Sequence, residues 1–232
     1  MIMKRFLLWF VRLNFVKKTI VLILRFPLWR KWRIKKYLKE SAEPKLQLGC
    51  CKNPLPGWLN TDISLRSVYG VYLDAGKSFP LPDASFEYVY SEHLFEHLTY
   101  QQGLNMLKES YRILKPGGVL RIATPDLQFL VGLYQDPENP VHKHYIEYSA
   151  KRWKLPADAV YVINHFHTTW GHQIIYDKKT LTALLEQVGF KKVRSCEVGE
   201  SQYPALTGIE GHFKELGIEF NRLETMILEV TK

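Results

Sequence analysis

Two short runs early in the chain could hold a nucleoside between them. The run KLQLG ends in Gly49, and the run WLNTDI carries Asp62 near its end. A glycine at a strand end lets backbone approach a ligand closely. An acid closing the next strand can accept hydrogen bonds from both hydroxyls of a ribose. The residues between them, CCKNPLPGW and its flanks, are too few for a full helix and loop, so NPLPGW is expected to form a tight turn. A second glycine would suit the position of Cys51, which takes positive φ less cheaply. Cysteine is small, so close approach survives if its φ is negative.

Proton transfer near neutral pH is most simply done by histidine. His93, His97, His165, His167, His172 and His212 are the candidates. His93 follows the fourth strand-like run, FEYVYSE, while His167 and His172 sit in HFHTTWGH, from where they could reach into a site. These three are the expected catalytic residues, and Glu210 with His212, in GIEGH, is a weaker pair.

Alternating elements must position these groups. KLQLG, WLNTDI, VYGVYLDAG, FEYVYSE and VLRIATPD read as five strands, the third ending at Asp74. Leu104, Leu107, Tyr111 and Leu114 have helical spacing, and KPGG stops that helix. DKKTLTALLEQVGF reads as a helix with Asp177 as N-cap and Gly189 as stop. KKVRSCEVGE and LETMILEVTK supply two last strands. Such alternation implies a doubly wound α/β domain over residues 41–232, with a mostly parallel sheet covered on both faces. Residues 136–172 break the pattern: they are aromatic and hold five of the eight histidines. An insertion there is expected to be a helical lid over the carboxyl ends of the strands.

The 232-residue chain carries a net charge of +9, located almost wholly at one end. Residues 1–40 hold twelve Lys and Arg against Glu40, a net of +11, whereas the remaining 192 residues carry 20 basic and 22 acidic groups. This leader also holds the apolar runs FLLWFV and TIVLIL, both far short of the roughly 20 residues that span a bilayer. It is expected to be a basic amphipathic helical extension that meets an anionic membrane surface, or that packs on its own domain as a hairpin. Three cysteines without framework or metal-ligand spacing suit a reducing, cytoplasmic setting.

The combination LQLGCC, NTD, YLDAG, FPLPDASFEYVYSEHLFEHL and LKPGGVLRIATPD resembles the class I S-adenosylmethionine-dependent methyltransferases, in particular their small-molecule branch. The likeness covers residues 45–126 well and 173–231 more loosely. It implies a seven-stranded Rossmann-like sheet with an antiparallel last strand, and S-adenosylmethionine as cofactor. By resemblance, Gly49, Cys50 and Cys51 face the methionine part, Asp62 holds the ribose, and Asp74 with Ala75 borders the adenine. Ser91 and Glu92 line the methionine end and the route to substrate. The expected reaction is O-methylation of a small-molecule, lipid-linked or glycan acceptor.

Other readings compete. His93-Leu-Phe-Glu96-His97 spells the inverted zinc-peptidase pattern, with both histidines able to share a helical face. The same positions belong to the strand-four signature of the resembled family, so no metal site is assigned, and a cation near this turn, which some quinone-pathway O-methyltransferases hold, is the lesser reading. A nicotinamide oxidoreductase needs glycines after Gly49 that are missing, and a near-neutral domain disfavours nucleic acid. The alternative to an enzyme is an inactive fold of this type serving as a membrane-attached adaptor.

Overall fold

The structure, a computed structural model, describes residues 27–64, 70–212 and 217–232. The first 26 residues, with the apolar runs of the leader, lie outside the described residues. The second half of the leader is helix α1, Pro27–Glu40. Its Ile34 is buried in the main core, and the Tyr37 hydroxyl accepts from the Lys45 amide at 2.9 Å and donates to the Lys45 carbonyl at 2.9 Å. Leu28 and Trp32, one turn apart, stay exposed on the same helix. Among the described residues no helix is long and apolar enough to cross a membrane.

Seven strands form one sheet: β1 (Lys45–Leu48), β2 (Leu59–Asp62), β3 (Val71–Tyr72), β4 (Phe86–Glu92), β5 (Leu114–Pro125), β6 (Lys191–Cys196) and β7 (Thr225–Thr231). Their order is β3-β2-β1-β4-β5-β7-β6. All neighbours from β3 to β5 pair parallel, and β7 runs antiparallel to both β5 and β6. The expected fold class is therefore the one observed. The strand order reverses between β1 and β4, the switch point at which such sheets bind ligands.

The two faces of the sheet are covered differently. Leu46, Leu48, Val89, Leu120 and Ile122 point to the face carrying α2 (Tyr100–Ile113) and α6 (Lys178–Val188). Both helices are capped as their sequences require: Thr99 and Gln102 form a capping box on α2, and α6 runs from Asp177 to Gly189. Tyr88, Tyr90 and Val119 point to the opposite face. There the cover is Leu55 and Trp58 from the β1–β2 turn, with Tyr203, Leu206 and Ile209 from a late loop, in place of a helix. The turn keeps its shape through side chains. Gln47 Oε1 accepts the Leu55 amide at 3.1 Å, and Asn60 Oδ1 accepts it at 2.8 Å.

Two elements differ from expectation. The third strand shrinks to Val71–Tyr72, and Leu73 continues it only as a buried coil. KPGG ends α2 but lies within β5, with Gly117 at φ +79° where the strand pairing shifts register. Helices α3 (Leu127–Gln135), α4 (Pro140–Trp153) and α5 (Ala159–Thr168) have a separate core built on Leu130, Leu133, Tyr145, Val162 and Phe166. Phe220 of α7 (Ile218–Glu224) stacks on Tyr148 at 3.6 Å between ring centres and joins that core.

Candidate active site

A cavity of about 1160 Å³ opens at the carboxyl ends of β1, β2, β4 and β5. Its floor includes Gly49, Cys50, Cys51 and Asp62, its middle Glu92, His93, Glu96 and His97, and its far wall Trp153, Phe166, Trp170 and His172. One space thus runs from the glycine turn to the aromatic helices α4 and α5.

At the floor, Gly49 has φ +67°, and a Cβ there would sit 3.1 Å from the Leu94 side chain, so only glycine fits this turn without displacement. Cys51 also has positive φ, +44°, so the condition of negative φ is not met. The residue takes the left-handed conformation without being glycine, because its amide must reach Asp62: Cys51 N donates to Asp62 Oδ2 at 2.8 Å. Asp62 is buried, and its Oδ1 accepts from the Ser64 amide at 2.6 Å and the Ser64 hydroxyl at 2.5 Å. Cys50 is buried beside it. Burial, with the nearby Asp62 charge, pushes the Cys50 thiol up to about 12, so it stays protonated.

The other residues expected at this end are placed less uniformly. Glu92 lines the cavity, but both of its oxygens are taken by the late loop, with the Gly211 and His212 amides each donating at 2.9 Å. Ser91 is fully buried within β4, behind the cavity lining. Asp74 and Ala75 follow β3 outside the lining. Asp74 accepts the Gly76 amide and pairs with Lys77, while Ala75 joins the main core.

The histidines fall into separate groups. His93 has φ +44°, and a short 3₁₀ turn, Phe95–His97, follows it. That break in helical geometry overturns the expectation that His93 and His97 share a helical face. The His93 ring instead lies 3.9 Å from that of His212, and the His97 ring 4.7 Å from that of His172. Glu96, fully buried, lies between the groups: its Oε1 meets His93 Nδ1 at 3.2 Å, a carboxylate oxygen lies within 4.8 Å of ring nitrogens of His97 and His172, and its Oε2 accepts from Thr124 Oγ1 at 3.1 Å. Burial pulls the His93 pKa down, but the hydrogen bond and charge of Glu96 outweigh it and leave the imidazole above its ordinary value. Glu96 is lowered for the same reason, its burial being outweighed by His93.

His172 donates Nδ1–H to the Phe166 carbonyl at 2.7 Å, which leaves Nε2 as its lone-pair atom, and burial lowers its pKa. His165 stacks on Trp153 in the cavity wall, whereas His167 points outward from α5, exposed and outside the lining.

Sequence reasoning gave no role to Glu224, which closes α7. It is buried and lines the cavity, and the Tyr145 hydroxyl donates to its Oε2. Burial pushes its carboxyl up to about 7. His212 is driven the other way, down to about 3, by burial and then by His93 beside it. The loop carrying His212 is tied down twice, by Glu92 and by Glu210, whose carboxylate pairs with buried Arg121 at 2.6 Å. Arg121 also binds Glu229 at 2.6 Å. No local sequence signal joins these partners, which come from distant strands and loops.

The sheet order, with its reversed last strand, and the cavity at the switch point define a class I methyltransferase fold. Residues 59–122, from β2 to β5, match the methyltransferase domain family. That segment is similar to a methyltransferase domain, and the sheet around it has the strand order of the class I methyltransferase fold. A probable S-adenosylmethionine-dependent methyltransferase from Mycolicibacterium smegmatis is 41% identical over 64 residues, covering 27% of this chain and 24% of that protein. The chain thus matches about a quarter of the length of that curated relative. Among solved structures, a methyltransferase from Archaeoglobus fulgidus shares 18% identity, covers 87% of this chain and 92% of its own, and has a TM-score of 0.48. A possible histamine N-methyltransferase from Thermotoga maritima shares 16% identity over 95% of this chain and 97% of its own, with a TM-score of 0.46.

Proposed function

We propose that the protein transfers a methyl group from S-adenosylmethionine to a hydroxyl of a small-molecule, lipid-linked or glycan acceptor. The observation that carries this reading is the single cavity with Asp62 and Gly49 at one end and His172 at the other. S-adenosylmethionine, when bound, supplies an electrophilic methyl on a sulfonium. The residues present fit it. A carboxylate offers about four acceptor positions. Three donors from Cys51 and Ser64 already point at Asp62, which leaves one position, and the rotatable Ser64 hydroxyl can yield a second to a ribose diol. Gly49 gives the backbone its close approach.

The chain's own work is then positioning and proton removal. Holding the acceptor in line contributes about 7–11 kcal/mol in well-oriented systems. The flat rings of Trp153 and Trp170 at the far wall suit a cyclic acceptor. His172 accepts the hydroxyl proton at Nε2. Its Nδ1–H is already committed to Phe166, and its lowered pKa keeps it uncharged at neutral pH. His93, bound to Glu96 at Nδ1, lies deeper, and His167 takes no part.

The exposed Leu28 and Trp32 on a helix rich in Lys and Arg support contact of α1 with an anionic membrane surface from the cytoplasmic side. Calorimetric titration with S-adenosylmethionine and S-adenosylhomocysteine tests the function. Micromolar binding of both supports it, and silence toward both returns the protein to the adaptor reading.

A further inference from the structure

The geometry points to a divalent transition-metal site formed by His93, His212 and Glu224. Among the described residues, one ligand atom from each lies within 4.8 Å of the other two. Bonds of about 2.1 Å place the ligands of a tetrahedral ion roughly 3.4 Å apart, so the three groups would close by about an ångström on a bound ion. His212 Nε2 is already 3.9 Å from Glu224 Oε1.

Each group is set up as a ligand by what holds its far side. His93 Nδ1 is engaged by Glu96 Oε1, which directs Nε2 toward the β7 entrance, where it lies 3.4 Å from Thr225 Oγ1. A carboxylate behind an imidazole fixes its orientation and raises its basicity as a ligand. Glu224 receives the Tyr145 hydroxyl on Oε2, which leaves Oε1 toward His212. His212 is carried on a loop whose amides are clamped by Glu92. The two imidazole rings lie 3.9 Å apart, tilted by 34°, beside the buried Glu224 carboxylate, so a shared cation would join three groups already gathered at one point.

The donor set selects the ion. Two imidazole nitrogens and one carboxylate oxygen suit zinc, cobalt or iron, and suit magnesium or calcium poorly. Three protein ligands leave a position open toward the cavity, which all three residues line. An acceptor hydroxyl could bind there and become more acidic. That use rests on the methyl-transfer reading, whereas the site itself does not. Arg152 lines the same cavity and would hold an anionic part of the acceptor beside the ion.

The test uses the full-length, tag-free chain, stripped with chelator and titrated with cobalt(II), followed by visible absorption and calorimetry. One equivalent should bind at micromolar Kd or tighter, with d–d bands of a low-coordinate nitrogen and oxygen site. His212→Ala and Glu224→Gln should each weaken binding at least tenfold, Tyr145→Phe severalfold, and the exposed His167→Ala not at all. A raised melting temperature of the unmutated protein with excess cobalt or zinc gives the same answer if a variant fails to fold. Absence of both binding and shift, or cobalt affinity unchanged in a folded His212→Ala, overturns the site. S-adenosylhomocysteine titrated into the same samples separates the two claims. Its binding without cobalt binding removes only the metal, and cobalt binding without it removes only the proposed function.

Discussion

The backbone amide of Cys51 donates to Oδ2 of Asp62 at 2.8 Å, so the glycine turn and the acid that closes β2 are bonded to each other before any ligand arrives. Asp62 is therefore a structural staple as well as the proposed ribose ligand. Replacing it with alanine would strand the amides of Cys51 and Ser64 together. A shortened turn without a helix holds its shape in this way.

That bond also explains the conformation of Cys51. The left-handed region costs a residue with a Cβ about 1–2 kcal/mol. Glycine removes that cost but gains about 0.4–1 kcal/mol of unfolded-state entropy. Cys51 is exposed, so its side chain contributes little burial. Cys51→Gly should therefore stabilise the protein by about 0.5–1 kcal/mol in urea unfolding, and Cys51→Ala should change little. A destabilised glycine variant would mean that the thiol makes an essential contact.

Arg121 is fully buried between Glu210 and Glu229. Removing one partner of a buried ion pair leaves uncompensated charge and costs about 3–5 kcal/mol. Arg121→Met should lose that much unfolding free energy in denaturant titration and loosen the loop that carries His212, seen as faster amide exchange at residues 199–212. An equally stable variant with unchanged exchange would show that the loop is held by other contacts.

The strands and α6 could be read because their ends are chemical: Gly49, Asp62, KPGG and Gly189 each stop an element for a local reason, and Asp177 starts one. The turn after Gly49 was legible from its length alone. The grouping of His93 with His212 was not. It depends on Glu92 binding two amides far along the chain, and on a positive φ at His93 that turns the ring away from His97. A period-based reading placed His93 and His97 on one helix because it assumes regular geometry. Glu224 was invisible for a similar reason, since an acid at a helix–strand junction looks solvated until Tyr145 of α4 bonds it in a buried position.

A pH effect follows from Glu109. Its carboxyl is held below the usual carboxylate range, first by the Arg112 hydrogen bond and against some burial. The pair also fixes the loop before β4, with Arg112 reaching the Phe79 and Leu81 carbonyls at 3.0 and 2.8 Å. A depressed folded-state pKa means that stability is present above the unfolded carboxylate value and is lost as pH falls through that value toward the folded one. The stability gap between the unmutated protein and Glu109→Gln should thus be full at pH 7 and shrink below about pH 4. A gap independent of pH would assign the effect to packing.

Removing the proton acceptor gives the catalytic counterpart. With methyl transfer followed from labelled S-adenosylmethionine, His172→Ala should lower kcat about 10²–10⁴-fold. S-adenosylhomocysteine affinity should stay within a few-fold, and His167→Ala should be silent in both measurements. Full activity in a folded His172→Ala would move the proton to another group.

The clasp of a ribose diol by Asp62 is tested most directly by a calorimetric cycle. S-adenosylhomocysteine and its 2′,3′-dideoxy analogue are each titrated into the unmutated protein and into Asp62→Asn. The account predicts that loss of the two hydroxyls weakens binding at least tenfold in the unmutated protein and much less in the variant. Equal losses in both proteins would contradict it and place the sugar elsewhere in the cavity.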